Sequence, residues 1–204
     1  MLPGAEECHD GAVPAGRIVI INGTSSAGKS ALVHRFWERR AEAGQWWLPI
    51  AIDDFQIRVP PAFFSAPGFE GPHAAHGFFT QPADEGITLG VGDQGRQLHA
   101  AYHRTVALWA EHGFDVIVDE VVFDAEAAED WRVALEGSTV TWVGLHCEEG
   151  TLVDRERRRG DRFPGLALGL ASTVHRHVTY DLELDSTEQT VEDLVVQLEE
   201  GLGL

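Results

Sequence analysis

The chain has 204 residues, 44% of them hydrophobic, which suits one folded domain with a sizeable core. A formal net charge of −18 argues against nucleic acid and anionic membrane as partners, because either would repel it. The two cysteines, Cys8 and Cys147, fit neither a metal spacing nor a disulfide framework, so a reducing cytoplasm is the expected setting.

The first sixteen residues, MLPGAEECHDGAVPAG, are acidic and carry no basic stretch ahead of an apolar core. They are unlike a signal peptide, and a flexible extension over 1–16 is expected in front of one domain over 17–204. No apolar stretch approaches the roughly 20 residues that span a bilayer. RIVIIN (Arg17–Asn22) is short, β-branched and apolar, as a buried parallel strand is. Helical spacing runs from Lys29 to about Ala43 and stops at Gly44. WWLPIAID (Trp46–Asp53) reads as a second strand, with Pro49 marking an edge or a bulge. The pattern then breaks over Val59–Gly90, which is rich in Pro, Gly and Phe. A segment this long is functional or disordered, and its phenylalanines argue against simple disorder. Helical spacing returns over Gln94–His112, with Leu98, Ala101, Thr105, Leu108 and Trp109 on one side. FDVIVDE (Phe114–Glu120) is a third strand ending in two carboxylates, Ala125–Leu135 a helix, and STVTWVGLHC (Ser138–Cys147) a fourth strand. An arginine-rich helix covers Glu149–Arg159, followed by RGDRFPG and a helical segment to about His177. VTYDLELD (Val178–Asp185) reads as the last strand and Val191–Leu202 as the last helix. Such alternation predicts an α/β sheet covered by helices on both faces.

Between the first strand and the first helix stands GTSSAGKS (Gly23–Ser30), which matches G-x-x-x-x-G-K-S/T. Gly23 and Gly28 let the loop turn its backbone N–H groups toward a phosphate chain, and the following helix points its N-terminus at the same anion. Lys29 can reach the β and γ phosphates, and the Ser30 hydroxyl can ligate Mg²⁺. Lys29 is also the only lysine in the chain. Arginine is a planar fork and lysine a slim point charge, so lysine stands where an ammonium has to fit against phosphates.

Phosphoryl transfer also needs charge neutralisation and an oriented nucleophile. Two acidic pairs follow strands, Asp53 with Asp54 and Asp119 with Glu120, and strand carboxyl ends face the ligand crevice of such sheets. One pair could hold Mg²⁺ through water and the other accept a proton from an attacking hydroxyl; the residues alone do not rank them. Such acids also cap helices, Asp54 and Asp124 above all. RERRRGDR (Arg155–Arg162) packs five arginines into an acidic protein. Arg155 and Arg157 are expected on a solvated helix face paired with Asp154, Glu156 and Asp161, and Arg159 and Arg162 on a segment that closes over the phosphates. His73 and His76 lack the glutamate and spacing of a zinc-protease motif. His99 and His103, four apart on a helix, could share a metal, although surface or pocket-lining positions suit them better. The absence of an N-K-x-D motif excludes a guanine-reading switch, leaving a small-molecule kinase, a biosynthetic metabolite or nucleotide kinase among them, and a non-catalytic nucleotide-binding module as the readings still open.

Taken together, these residues resemble the chloramphenicol phosphotransferases, a family of P-loop antibiotic kinases. The resemblance rests on RIVIINGTSSAGKS, I-D-D at Ile52–Asp54, V-D-E-V-V-F around Asp119, W-V-G-L-H-C at Trp142–Cys147, R-R-G-D-R at Arg158–Arg162 and Y-D-L-E-L-D-S-T at Tyr180–Thr187, over roughly residues 17 to 200. It implies a P-loop NTPase fold with a five-stranded parallel sheet, an arginine-rich lid bearing Arg159 and Arg162, and a homo-oligomer as an option. It implies ATP and Mg²⁺, with phosphate delivered to a hydroxyl of a small-molecule antibiotic. The nucleotide would be held by Gly23, Ser25, Ser26, Ala27, Gly28, Lys29 and Ser30, the metal by Ser30 and Asp119, and Asp53 would be the catalytic base. The chain departs from the family over Val59–Gly90, which is longer and more aromatic. Phe63, Phe64, Phe69, Phe78 and Phe79 could line a site for a bulky, partly apolar acceptor, beside Asp53, Asp54, Phe55 and Glu120; they could equally pack a lid on the core.

Overall fold

Ile18–Asn22 forms the first strand, β1, and every one of its residues is buried. Burial on both faces is what an all-apolar, β-branched run requires. The structure, a computed structural model, describes residues 14–159 and 163–204. The extension expected over 1–16 therefore lies, up to residue 13, outside the described residues, as do Asp161 and Arg162. The chain continues as α1 (Lys29–Glu42), β2 (Trp47–Ala51), α2 (Asp53–Gln56), β3 (Phe64–Ala66), β4 (Phe69–Glu70), β5 (Phe78–Pro82), β6 (Ile87–Val91), α3 (Asp93–Glu111), β7 (Asp115–Glu120), α4 (Ala125–Ala134), β8 (Val140–His146), α5 (Glu149–Arg159), α6 (Leu166–Ala171), β9 (Leu182–Asp185) and α7 (Val191–Leu202).

Among the described residues two sheets form. The larger has five parallel strands in the order β2-β7-β1-β8-β9. Alternation along β1 divides two cores between the faces of this sheet. Val19 and Ile21 pack with Leu32, Val33 and Phe36 of α1 and with Leu194, Val195 and Leu198 of α7. Ile18 and Ile20 pack with Tyr102, Val106 and Ala110 of α3 and with Ala127 and Trp131 of α4. Pro49 sits in β2, an edge strand, where a missing ladder donor is tolerated. α7 begins with a capping box: the Asp193 N–H donates to Thr190 Oγ1 at 3.2 Å and the Thr190 N–H to Asp193 Oδ2 at 3.1 Å, an arrangement that stabilises a helix start by about 1 kcal/mol.

Three expectations change. Val59–Gly90 is not an irregular excursion but carries a four-stranded sheet, β4-β3-β5-β6, in which β3 and β5 pair in parallel and the other neighbours antiparallel. Its strands are two to five residues long, too short and too broken by Gly and Pro to show a period of two. On α3 the buried face is not the Leu98–Leu108 side. It is His99, Tyr102, His103, Val106, Ala107 and Ala110, whereas Leu108 is exposed. Two histidines in the stripe disguise it as polar. The last strand starts at Leu182 rather than Val178, and the α-helix before it ends at Ala171.

The small sheet is tied to α6. The Ile87 N–H donates to the Gly165 carbonyl at 3.1 Å, and Ile87, Leu89 and Val91 of β6 pack on a third core of Phe123, Leu166 and Leu170.

Candidate active site

The loop after β1 is shaped by its two glycines. A Cβ on Gly23 would lie 2.6 Å from the Leu145 carbonyl oxygen of β8, so no side chain fits there. Gly28 has φ 102°, a left-handed conformation that favours glycine. As the residue before α1 it offers no side-chain cap, which leaves the first-turn amides of that helix to an anion. Ser26 also has a positive φ, 63°. Its hydroxyl is buried with no hydrogen-bond partner among the described residues. Ala27, within the loop, is fully buried. Its carbonyl accepts from Ser186 Oγ at 2.7 Å and from Arg155 Nη1 at 3.2 Å.

Lys29 Nζ donates to the Thr24 carbonyl at 2.9 Å and lies 3.7 Å from Asp119 Oδ1. Ser30 Oγ donates to Asp119 Oδ2 at 2.6 Å. A hydroxyl and a carboxylate side by side beneath a phosphate cradle are hard oxygen donors of the kind Mg²⁺ takes alongside phosphate oxygens and water. No group of three or more His, Cys, Asp or Glu among the described residues is placed to hold a metal, and this includes His99 and His103.

A cavity of about 550 Å³ opens from this loop. Ser25, Ser26 and Gly28 to Ala31 line one side; Phe64, Phe69, Phe78 and Phe79 from the small sheet line another, with Phe123, Phe163, Leu166 and Leu170. Asp53, Asp119, Glu120 and Arg159 also border it. The structure therefore brings together most of the residues that the sequence singled out. It separates the first acidic pair: Asp53 faces the cavity, while Asp54 Oδ2 accepts from the Ala51 N–H at 2.8 Å. Phe55 packs on Tyr102 with ring centroids 5.2 Å apart, and Phe63 on His73 at 5.3 Å; neither lines the cavity. Asp124 caps α4, accepting from the Ala127 N–H at 2.8 Å. Arg162, the other arginine expected on the closing segment, falls outside the described residues.

The solvated face expected for α5 is corrected at two positions. Arg155 reaches under the loop to Ala27, Cys147 and Ser186. Glu156 is buried and accepts from the Gly165 N–H at 2.7 Å and the Ala167 N–H at 2.9 Å, fixing the start of α6. Asn22 holds the far side: its amide donates to the Val174 carbonyl and Tyr180 hydroxyl and its Oδ1 accepts from the Val122 N–H. These partners lie 8 to 158 residues away along the chain, and no local pattern in the sequence announces them.

Glu120 is buried against the cavity, and its carboxylate accepts from the Val121 N–H at 2.7 Å and Trp131 Nε1 at 3.1 Å. Burial pushes its pKa up to about 7 against those two bonds. Burial likewise holds His99 down to about 4 and His103 to about 3, so both imidazoles are neutral at physiological pH.

The family model of chloramphenicol phosphotransferase-like proteins matches residues 16–202. A Mycobacterium tuberculosis protein named "Putative O-phosphotransferase" is 31% identical over 192 residues, which span 93% of this chain and 83% of that protein. Among solved structures, the Mycobacterium tuberculosis APS kinase CysC, in complex with AMPPNP and APS, is similar with a TM-score of 0.61 at 18% identity, over 94% of this chain and 99% of its own. An unliganded sugar kinase from Janibacter sp. HTCC2649 is similar with a TM-score of 0.64 at 16% identity, over 92% and 95%. At such identities the two structures establish the fold, that of the P-loop kinases.

Proposed function

The chain belongs to the chloramphenicol phosphotransferase-like family, and from that premise we propose that it uses ATP and Mg²⁺ to phosphorylate a hydroxyl of a partly apolar, small-molecule antibiotic, chloramphenicol or a bulkier compound. The observation that carries this reading is the single cavity that joins the Lys29–Ser30–Asp119 cluster to a wall of phenylalanines, with Asp53 on its border.

Lys29 and the loop amides hold the β and γ phosphates, with the Ser26 hydroxyl as a further donor. Ser30 and Asp119 would hold Mg²⁺, which when bound offsets charge on the phosphate oxygens. Asp53 takes the proton of the acceptor hydroxyl as its oxygen bonds to the γ-phosphorus. The bond from that phosphorus to the β,γ-bridging oxygen breaks, ADP leaves with the electron pair, and Asp53 passes the proton to solvent. Arg159, at the cavity border, stabilises the charge in transfer. An acceptor that gains a dianion in place of a hydroxyl loses the hydrogen bond that hydroxyl made to its target, which is how such transfer confers resistance. The ATP requirement sets this chemistry in the cytoplasm.

The test is Mg²⁺-dependent ADP release from ATP against a panel of hydroxyl-bearing antibiotics that includes chloramphenicol, with mass analysis of each mixture. One phosphate gained by a panel member supports the reading. Transfer only to a metabolite or nucleotide replaces it with a biosynthetic kinase, and bound ATP without release replaces it with a binding module.

A further inference from the structure

Two residues of α2 border the cavity. Asp53 and Gln56, three apart on this helix, both line it, whereas Asp54 and Phe55 between them do not. Helical periodicity puts positions three apart on one face, with Cβ atoms about 5–6 Å from each other. The two residues between them anchor the helix: Asp54 Oδ2 accepts from the Ala51 N–H at 2.8 Å, and the Phe55 ring packs on Tyr102 of α3. The Gln56 N–H donates to the Ile52 carbonyl at 3.0 Å and closes the turn. Gln56 is thereby held at a set distance from Asp53. It is half-buried and forms no side-chain hydrogen bond among the described residues, and its carboxamide atoms are not among those sealed from solvent. Other polar groups of the acceptor end are committed or closed: Ser65 Oγ donates to the Phe69 carbonyl at 3.4 Å, and His99 Nε2 is sealed from solvent. Thr80 is open, but stands on β5 rather than on the helix that carries Asp53.

We propose that Gln56 determines acceptor specificity by hydrogen bonding, through its carboxamide, to a second hydroxyl that the acceptor carries on a carbon next to, or next but one to, the carbon of the hydroxyl directed to Asp53. This rests on the reading of the cavity as the acceptor site and of Asp53 as the base. The lining carries both signs of charge, Lys29 and Arg159 with Asp53, Asp119 and Glu120, so charge alone selects no acceptor. A carboxamide donates and accepts at once, as a hydroxyl does, and the two match. Side chains that start about 5–6 Å apart on one helix face suit two hydroxyls on neighbouring carbons. The acceptor is therefore a diol with an apolar body: one hydroxyl meets Asp53, the other meets Gln56, and the body rests on the phenylalanines.

The test uses the whole chain without nucleotide, labelled with ¹⁵N-glutamine, and two probes that differ by one hydroxyl, styrene glycol and phenethyl alcohol. Gln56→Met, matched in length but without the carboxamide, assigns the Gln56 side-chain amide resonance by its loss. Styrene glycol is expected to shift that resonance and to bind wild type about fivefold more tightly than phenethyl alcohol, as one added hydrogen bond does; the one hydroxyl of phenethyl alcohol goes to the charged, stronger acceptor Asp53. In Gln56→Met the advantage is expected to vanish through weaker binding of the glycol, with phenethyl alcohol binding as before. Equal affinities in wild type, a glycol advantage that survives in Gln56→Met, or tighter binding of the glycol without the amide shift overturns the assignment. Binding of neither probe overturns it together with the reading of the cavity as an acceptor site. If Gln56→Met does not fold, Gln56→Ala takes its place. No phosphate is transferred in this titration. A chain inactive on every acceptor but showing the amide shift loses the kinase reading and keeps the contact, and an active chain without the shift loses only the contact.

Discussion

Lys29 is the only lysine in the chain, and its surroundings explain why arginine does not stand there. The side chain is buried, donates to the Thr24 carbonyl at 2.9 Å and keeps its ammonium 3.7 Å from Asp119. A guanidinium carries the same charge on a wider, planar head and would displace the loop that Gly23 and Gly28 shape. Lys29→Arg is expected to abolish acceptor-dependent ADP release while leaving the circular-dichroism spectrum unchanged; near-normal turnover would show that charge alone suffices. Asp53→Asn keeps the size of the side chain and removes the proton acceptor. It is expected to leave ATP affinity unaltered, read by calorimetry, and to lower kcat by about 10²-fold or more. Retained turnover would move the base to Asp119 or Glu120. Lys29, Ser30, Asp53 and Asp119 are legible in the sequence because their meaning lies in local spacing and in the strand ends they follow. His99, Arg155 and Glu156 are not, since nothing local says that a histidine on a helix is walled in by phenylalanines or that an arginine in a charged run reaches beneath a loop.

The same contrast holds between elements. β1, α1, β7 and β8 can be read from the chain because the strands carry apolar, β-branched runs, α1 shows helical spacing, and each stands next to a turn signal. β3 to β6 cannot, because their pairing spans a segment punctuated by glycine and proline, and one of their pairs is parallel. The α3 face is misread for another reason: hydrophobic spacing does not recognise neutral, buried histidines as core. Between α5 and the phosphate loop, Arg155 joins the Ala27 carbonyl to Ser186. Removing a charged donor from half-buried bonds of this kind destabilises by about 2 kcal/mol. Arg155→Ala is expected to raise the KM for ATP about tenfold with a smaller change in kcat, and to lower Tm by a few degrees. A kcat loss at unchanged KM would place Arg155 in the chemistry instead of under the loop.

For the molecule as a whole, the buried titratable groups decide how acid is tolerated. His99, His103 and His175 are held near 4, 3 and 4, mainly by burial, against about 6.5 in an unfolded chain. As pH falls below about 6.5 the unfolded state takes up protons that the native state refuses, so stability falls. Glu120 works the other way: raised to about 7, it is protonated in the native state and ionised in the unfolded one over the same window, which favours folding as pH falls. Three histidines outweigh one carboxylate. Between pH 6.5 and 5 urea stability is expected to decline with acid, and His99→Gln should reduce the slope by up to about 1.4 kcal/mol per pH unit, one proton's worth. Urea midpoints that rise as pH falls through this window would show these imidazoles to be charged in the native state.

The joint between β6 and α6, where the Ile87 N–H meets the Gly165 carbonyl above Leu166 and Leu170, bears on how such a protein can change its diet. The aromatic wall and the stretch that follows the arginines are fastened to one another as well as to the large sheet. Grafting a relative's 59–90 region alone would leave the graft resting on a foreign helix. Acceptor preference should therefore be heritable as a pair of distant segments, and recombination that splits the pair should yield folded chains that serve neither parent's substrate.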